Sequence, residues 1–132
     1  MSARTYTMAL FSFSKKERLK NKLQIDSLFS EGERFFEYPF NAIWRLDSNS
    51  DSTLKMAVSV PKKKIPNATD RNKIKRLVRE AFRKNKAILN QPLEAKKVKL
   101  HLMLVYSQSN IMPMTEIEDK ISVTLQRLAE QI

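Results

Sequence analysis

The sequence predicts an α+β fold, a single two-layer sandwich in which helices cover a mixed sheet of about four strands. Three observations carry that expectation. Segments with helical periodicity alternate with segments of strand character in the order α-β-β-α-β-α, which suits helices packed on one sheet. The chain has 132 residues, 42% of them apolar, enough for one two-layer core and too few to demand two domains. Finally, residues 97–106 form a mostly apolar run of strand length, rich enough to be a central strand covered on both faces.

The elements follow in order. Residues 23–29 read as a short amphipathic helix with Ile25, Leu28 and Phe29 on one face, and Gly32, the only glycine, falls where a helix C-terminus favours a left-handed residue. Residues 36–46 alternate, placing Phe36, Tyr38, Phe40, Ala42, Trp44 and Leu46 on one side of a strand, with room for a further short strand near residues 34–36. A polar turn leads to a second strand, residues 54–60, expected to pair with the first as a hairpin. Pro61 and Pro66 bracket a lysine-rich loop, and a long helix is expected over residues 68–89, capped by Asn67 and ended by Asn90 and Pro92. After the apolar strand, Pro113 and Thr115, with Glu118 completing a capping box, open a last helix whose buried stripe is Ile117, Ile121, Leu125, Leu128 and Ile132.

Charge speaks to partners rather than to fold. The chain carries 25 Lys and Arg against 14 Asp and Glu, a net +11, which favours a polyanion. Residues 62–86 hold eleven basic side chains opposed only by Asp70 and Glu80, a local charge of +9. A smaller cluster lies at Lys15, Lys16, Arg18, Lys20 and Lys22, opposed by Glu17. No stretch approaches the roughly 20 apolar residues of a transmembrane helix, and the opening residues are too short and polar for a signal peptide. With no cysteine, disulfides and thiolate metal sites are excluded, and the cytoplasm is the default location.

On a helix, Ile74, Leu77, Val78, Ala81 and Phe82 form one apolar stripe, while Arg71, Lys75, Arg79 and Arg83 step by four along an adjoining flank, with Asn72, Arg76 and Lys86 beside them. Arg supplies forked donors, Lys a mobile point charge and Asn a neutral donor-acceptor, a combination suited to phosphates and sugars. An ordinary solvated face mixes the signs of charge; this one almost lacks acids. A DNA-binding helix-turn-helix would need a short helix just before the basic one, where the sequence offers a strand and a Pro-flanked loop.

At these residues the chain resembles the protein component of bacterial ribonuclease P. The resemblance rests on Ser59-Val60-Pro61-Lys62-Lys63-Lys64, then Asn67-Ala68-Thr69-Asp70, then Arg71-Asn72-Lys73-Ile74-Lys75-Arg76-Leu77-Val78-Arg79, and more loosely on residues 14–130, including Leu28, Phe29 and Gly32. Three departures stand out. Lys73 replaces a usual arginine and loses its bidentate geometry. Pro66 stands where glycine is common, in a loop one residue longer, and Ile25 replaces an aromatic.

The resemblance implies a fold like domain 2 of ribosomal protein S5, with an unusual left-handed β-α-β crossover. It also implies that the chain is a single RNA-binding domain, 1–132, with residues 1–13 as an N-terminal extension and the candidate for disorder. It would be the accessory subunit of a ribonucleoprotein endoribonuclease, helping a catalytic RNA, which uses Mg2+, to remove the 5′ leader of precursor tRNA. Arg71, Asn72, Lys73, Lys75, Arg76 and Arg79, with Lys62, Lys63 and Lys64, would bind RNA. A cleft around Ile25, Phe29, Phe40 and Ile43 would cradle the single-stranded leader. The expected partners are the ribonuclease P RNA and precursor tRNA, without DNA or membrane; a ribosomal or ribosome-assembly protein is the competing reading.

The residues themselves offer no protein nuclease. A protein ribonuclease needs a general acid and base or clustered carboxylates for metal. The one histidine, His101, sits in an apolar strand and reads as structural, as do Met103, Met112, Met114 and Trp44, and the acids are scattered.

Overall fold

Two asparagines set where the first helices begin. In the computed structural model, which describes residues 15–132, Asn21 Oδ1 accepts hydrogen bonds from the Leu23 and Gln24 amides at 2.9 and 3.2 Å, and α1 runs Lys22–Glu31. Asn67 Oδ1 likewise accepts from the Thr69 amide at 2.8 Å and starts the basic helix α2, Ala68–Asn85. The strands are β1 (Glu33–Glu37), β2 (Phe40–Leu46), β3 (Leu54–Ser59) and β4 (Leu100–Tyr106); α3 spans Ala87–Lys96, α4 spans Met114–Gln131, and Lys15–Glu17 form a 3-10 turn. The N-terminal extension, residues 1–13, lies outside the described residues.

The sheet is mixed and four-stranded, in the order β1-β2-β4-β3. Strand β4 is central and almost wholly buried, as its apolar run predicts. The expected hairpin between the strands now seen as β2 and β3 does not form. Instead β4 lies between them, antiparallel to β2 and parallel to β3. An all-apolar strand needs cover on both faces, which the sheet centre provides. A parallel pair in turn needs a long crossover, here α2 and α3 between β3 and β4.

Other expectations are corrected in detail. The alternating run 36–46 is two strands, because the chain turns at Tyr38-Pro39, a cis peptide, and β1 folds back antiparallel on β2, with Phe35 opposite Ala42. The expected helix 68–89 is also two. It breaks at Lys86, and Pro92 lies inside α3 rather than ending it. The left-handed residue is Lys97 (φ 56°), which ends α3. Gly32 has an extended φ of −73°, so its role is close approach. A Cβ there would lie 2.4 Å from Leu28 O and about 3 Å from Ile43 and Trp44 atoms of the strand beneath. The capping box is absent because α4 begins at Met114 with Pro113 at the cap position, two residues too early for Thr115 to act as cap.

Cross-strand partners share a sheet face, which sorts the core. One face carries Phe40, Ala42, Trp44, Met56, Val58, Leu102, Leu104 and Tyr106 under α2, α3 and α4. The apolar stripes of α2 (Ile74, Val78, Ala81, Phe82) and α4 (Ile117, Ile121, Leu125, Leu128) close that core, with Ile132 packed at its margin. The other face carries only a small cluster, Leu28 of α1 and Leu19 upon Ile43 and Met103. His101 also points to this side, buried, with Nε2 3.1 Å from Ser50 Oγ.

Candidate nucleic-acid interface

The core fixes which side of α2 meets solvent. With Ile74, Val78, Ala81 and Phe82 buried, Asn72, Lys73, Arg76 and Lys84 are exposed, and Arg71, Lys75, Arg79 and Arg83 are half-buried along the flank. The lysine loop is pinned from below by buried Ile65, whose amide, like that of Lys64, donates to Pro61 O at 3.1 Å. Lys62, Lys63 and Lys64 therefore project into solvent. Arg71 ties this loop to the helix, donating from Nη1 to Ile65 O at 2.9 Å and Pro66 O at 2.7 Å. Its first task is thus to hold the lysines beside the helix start.

A groove of about 590 Å³ lies along the same helix, lined by Lys73, Arg76, Leu77, Arg79, Glu80, Arg83 and, from outside the helix, Arg18. Burial, and secondarily the charge of Arg18, lower the pKa of Arg79 from its usual value. Glu80 is the lone carboxylate among the lining residues, and Arg83 grips it through Nε (3.0 Å) and Nη2 (2.6 Å). That forked contact lowers the Glu80 pKa and raises that of Arg83. Lys86, placed beside the basic flank by sequence, is instead buried, its Nζ 2.9 and 2.7 Å from the two carboxylate oxygens of Glu17.

A second groove of about 350 Å³ opens on the sheet face that α1 only partly covers, lined by Phe29, Arg34, Phe35, Phe36, Asn41, Ile43 and Val105. Phe29 and Phe36 are 40% and 52% exposed, whereas Ile43 is buried at its floor. The Arg34 guanidinium donates to Phe29 O and lies 5.9 Å from the centre of the Phe29 ring. Aromatic edges beside a cation suit a single strand, with stacking for bases and charge for phosphates.

Of the four residues expected in this cleft, Phe29 and Ile43 line it. Ile25 packs beside them against the small cluster under α1. Phe40 does not belong. It is fully buried on the opposite face, edge-on to Tyr106 at 6.1 Å between ring centres. Residues 40 and 43 differ by an odd number, so one strand must aim them at opposite faces. Arg34, Phe36, Asn41 and Val105 were missed because only the fold-back of β1 brings the first two to this face. Among the described residues, no group of three or more His, Cys, Asp or Glu comes together to hold a metal ion. None of the described helices is long and apolar enough to cross a membrane.

A mixed four-stranded sheet with a cation-dense helix on one side and a half-open aromatic groove on the other defines a small RNA-binding α+β protein. The Ribonuclease P family model matches residues 13–129, so the chain belongs to the ribonuclease P protein family. The "Ribonuclease P protein component" of Porphyromonas gingivalis is 34% identical over 94% of this chain and 91% of its own length. In fold, the chain is similar to the RNase P protein of Thermotoga maritima (TM-score 0.67, 24% identity, covering 84% of this chain and 96% of that one). It is also similar to that of Staphylococcus aureus (TM-score 0.65, 21% identity, covering 85% and 94%). The chain is accordingly the protein subunit of a tRNA-processing ribonucleoprotein, with ribonuclease P RNA as its partner.

Proposed function

We propose that α2 and the lysine loop grip the ribonuclease P RNA while the groove beneath α1 cradles the 5′ leader of precursor tRNA. The observation that carries the reading is the separation of the two grooves. One is lined mostly by cations, Lys73, Arg76, Arg79 and Arg83 of α2 with Arg18, and the other combines exposed aromatics with Arg34 and the apolar floor of a sheet. The first suits a folded RNA presenting many phosphates. The second suits a flexible strand of varied sequence, because every base has a face to stack and every nucleotide a phosphate.

On this view Mg2+ would be held by the RNA and would supply the chemistry of cleavage there. In this reading the protein contributes binding and orientation in the cytoplasm and leaves bond cleavage to the RNA. The ribosome-assembly alternative shares the basic helix, but the family match favours ribonuclease P.

The test is to add the protein to the cognate ribonuclease P RNA at low magnesium and measure precursor-tRNA cleavage. We expect clear enhancement over RNA alone. Equal rates with and without protein would overturn the reading.

A further inference from the structure

Arg18 reaches the cationic groove from the short segment that precedes α1, just after the 3-10 turn Lys15–Glu17. Residues 15–19 form a strap along the sheet edge, held at four points. The Ser52 hydroxyl donates to Lys16 O at 3.1 Å, and the Leu19 amide donates to Met56 O at 3.1 Å. That bond belongs to a single parallel bridge between Arg18 and Met56, and the Leu19 side chain is the third point, buried in the small cluster under α1. The fourth point is the Glu17–Lys86 ion pair, whose side chains are 19% and 5% exposed.

That pair is an odd choice for stability alone. Removing two charges from water costs much of what their attraction returns, and apolar residues of similar size often serve as well. What it does supply is a directional tether, spanning 69 residues of sequence, between the strap and the break that separates α2 from α3. Neighbouring residues of an extended segment point to opposite sides. With Leu19 drawn beneath α1, Arg18 faces the groove shared with Lys73, Arg76 and Arg79. Like charges held this close favour an anion between them, and the Arg18 charge already opposes protonation of Arg79.

We propose that the Glu17–Lys86 pair is a positioning device that holds the strap so that Arg18 binds phosphates of the ribonuclease P RNA together with the cations of α2. This rests on the reading of α2 as the RNA-binding face. The strap is the second wall of that site, and Glu17 acts through Arg18.

The sign of the Glu17 effect makes the test sharp. Glu17→Gln removes a negative charge, so a purely long-range electrostatic effect would tighten RNA binding. Positioning predicts weaker binding instead, by about as much as Arg18→Ala, with no further loss in the double variant. Binding of the full chain to ribonuclease P RNA would be measured across a salt series, alongside Arg76→Ala. Arg18→Ala should lower the log–log salt slope by about 0.7–0.9, as one lost phosphate contact does. An unchanged slope for Arg18→Ala beside a reduced one for Arg76→Ala would overturn this inference alone; unchanged slopes for both would overturn the reading beneath it. Tighter or unchanged binding by Glu17→Gln, or a loss that adds to that of Arg18→Ala, would remove the positioning role. If Glu17→Gln does not fold, the exposed Arg18→Ala still decides whether the strap contacts RNA.

Discussion

Beneath α2, α3 and α4 the sheet buries Phe40, Ala42, Leu102, Leu104 and Tyr106 completely, whereas beneath α1 it buries Ile43 and Met103 and leaves Phe36 half exposed. The first face has three helices over it and the second has one short helix. The difference separates stability from binding. The closed face holds most of the apolar burial that offsets chain entropy. The open face keeps aromatic area available for a ligand. Helix α2 serves both purposes, since one stripe closes the core and the adjoining flank and outer side carry the cations.

Substitutions should therefore divide by face. The largest stability loss is expected on the closed side, where Phe82→Ala should cost about 3–5 kcal/mol in urea unfolding, because it empties a fully buried ring site. A loss below 1 kcal/mol there would mean that the closed face is not the main core. Gly32→Ala comes next. A new Cβ would press on Leu28 O in the last turn of α1 and on Ile43 and Trp44 of β2, so the end of α1 must shift relative to β2 at a cost on the order of 1–3 kcal/mol. The same shift should disturb the open groove, and unaltered leader affinity in this variant would uncouple α1 placement from the groove.

A smaller, pH-dependent effect is expected from His101. Burial holds its pKa below the usual value, with the nearby Asp47 charge acting in the opposite direction. The unfolded chain therefore takes up a proton at a higher pH than the folded one. The contribution is fully present above the unfolded pKa and is lost as pH falls toward the folded one. Unfolding free energy should decline as pH falls below the usual histidine pKa of about 6.5, and His101→Gln should flatten that decline. An identical pH profile in the variant would dissociate His101 from the effect. At the bottom of the scale, Arg76→Ala should change stability by less than about 0.5 kcal/mol, because its side chain is exposed. It should nevertheless reduce the salt slope of RNA binding.

Much of this division was legible in the sequence. Helical phasing of residues 74–82 set the core side of α2 against its cationic side, and the apolar run of β4 marked the sheet centre. The pairing of β3 was not legible, because alternation specifies which face a residue takes and not which neighbour its strand chooses. Alternation that continues across the turn at Tyr38-Pro39 made two strands read as one run. That merging hid Arg34 and Phe36 from the groove, while the assignment of Phe40 broke a parity rule the sequence already contained. Arg18 and Lys86 exchanged roles for a different reason. A cation's partner 69 residues away depends on tertiary packing, which local charge counting does not report.

The division between RNA grip and leader groove is tested most directly by one crossed measurement. Holoenzyme containing Phe29→Ala protein would be assayed for binding of precursor tRNA with its leader and of mature tRNA without it. Phe29→Ala should weaken binding of the leader-bearing RNA and leave that of mature tRNA unchanged. Equal weakening of both would contradict the assignment of the open face to the leader.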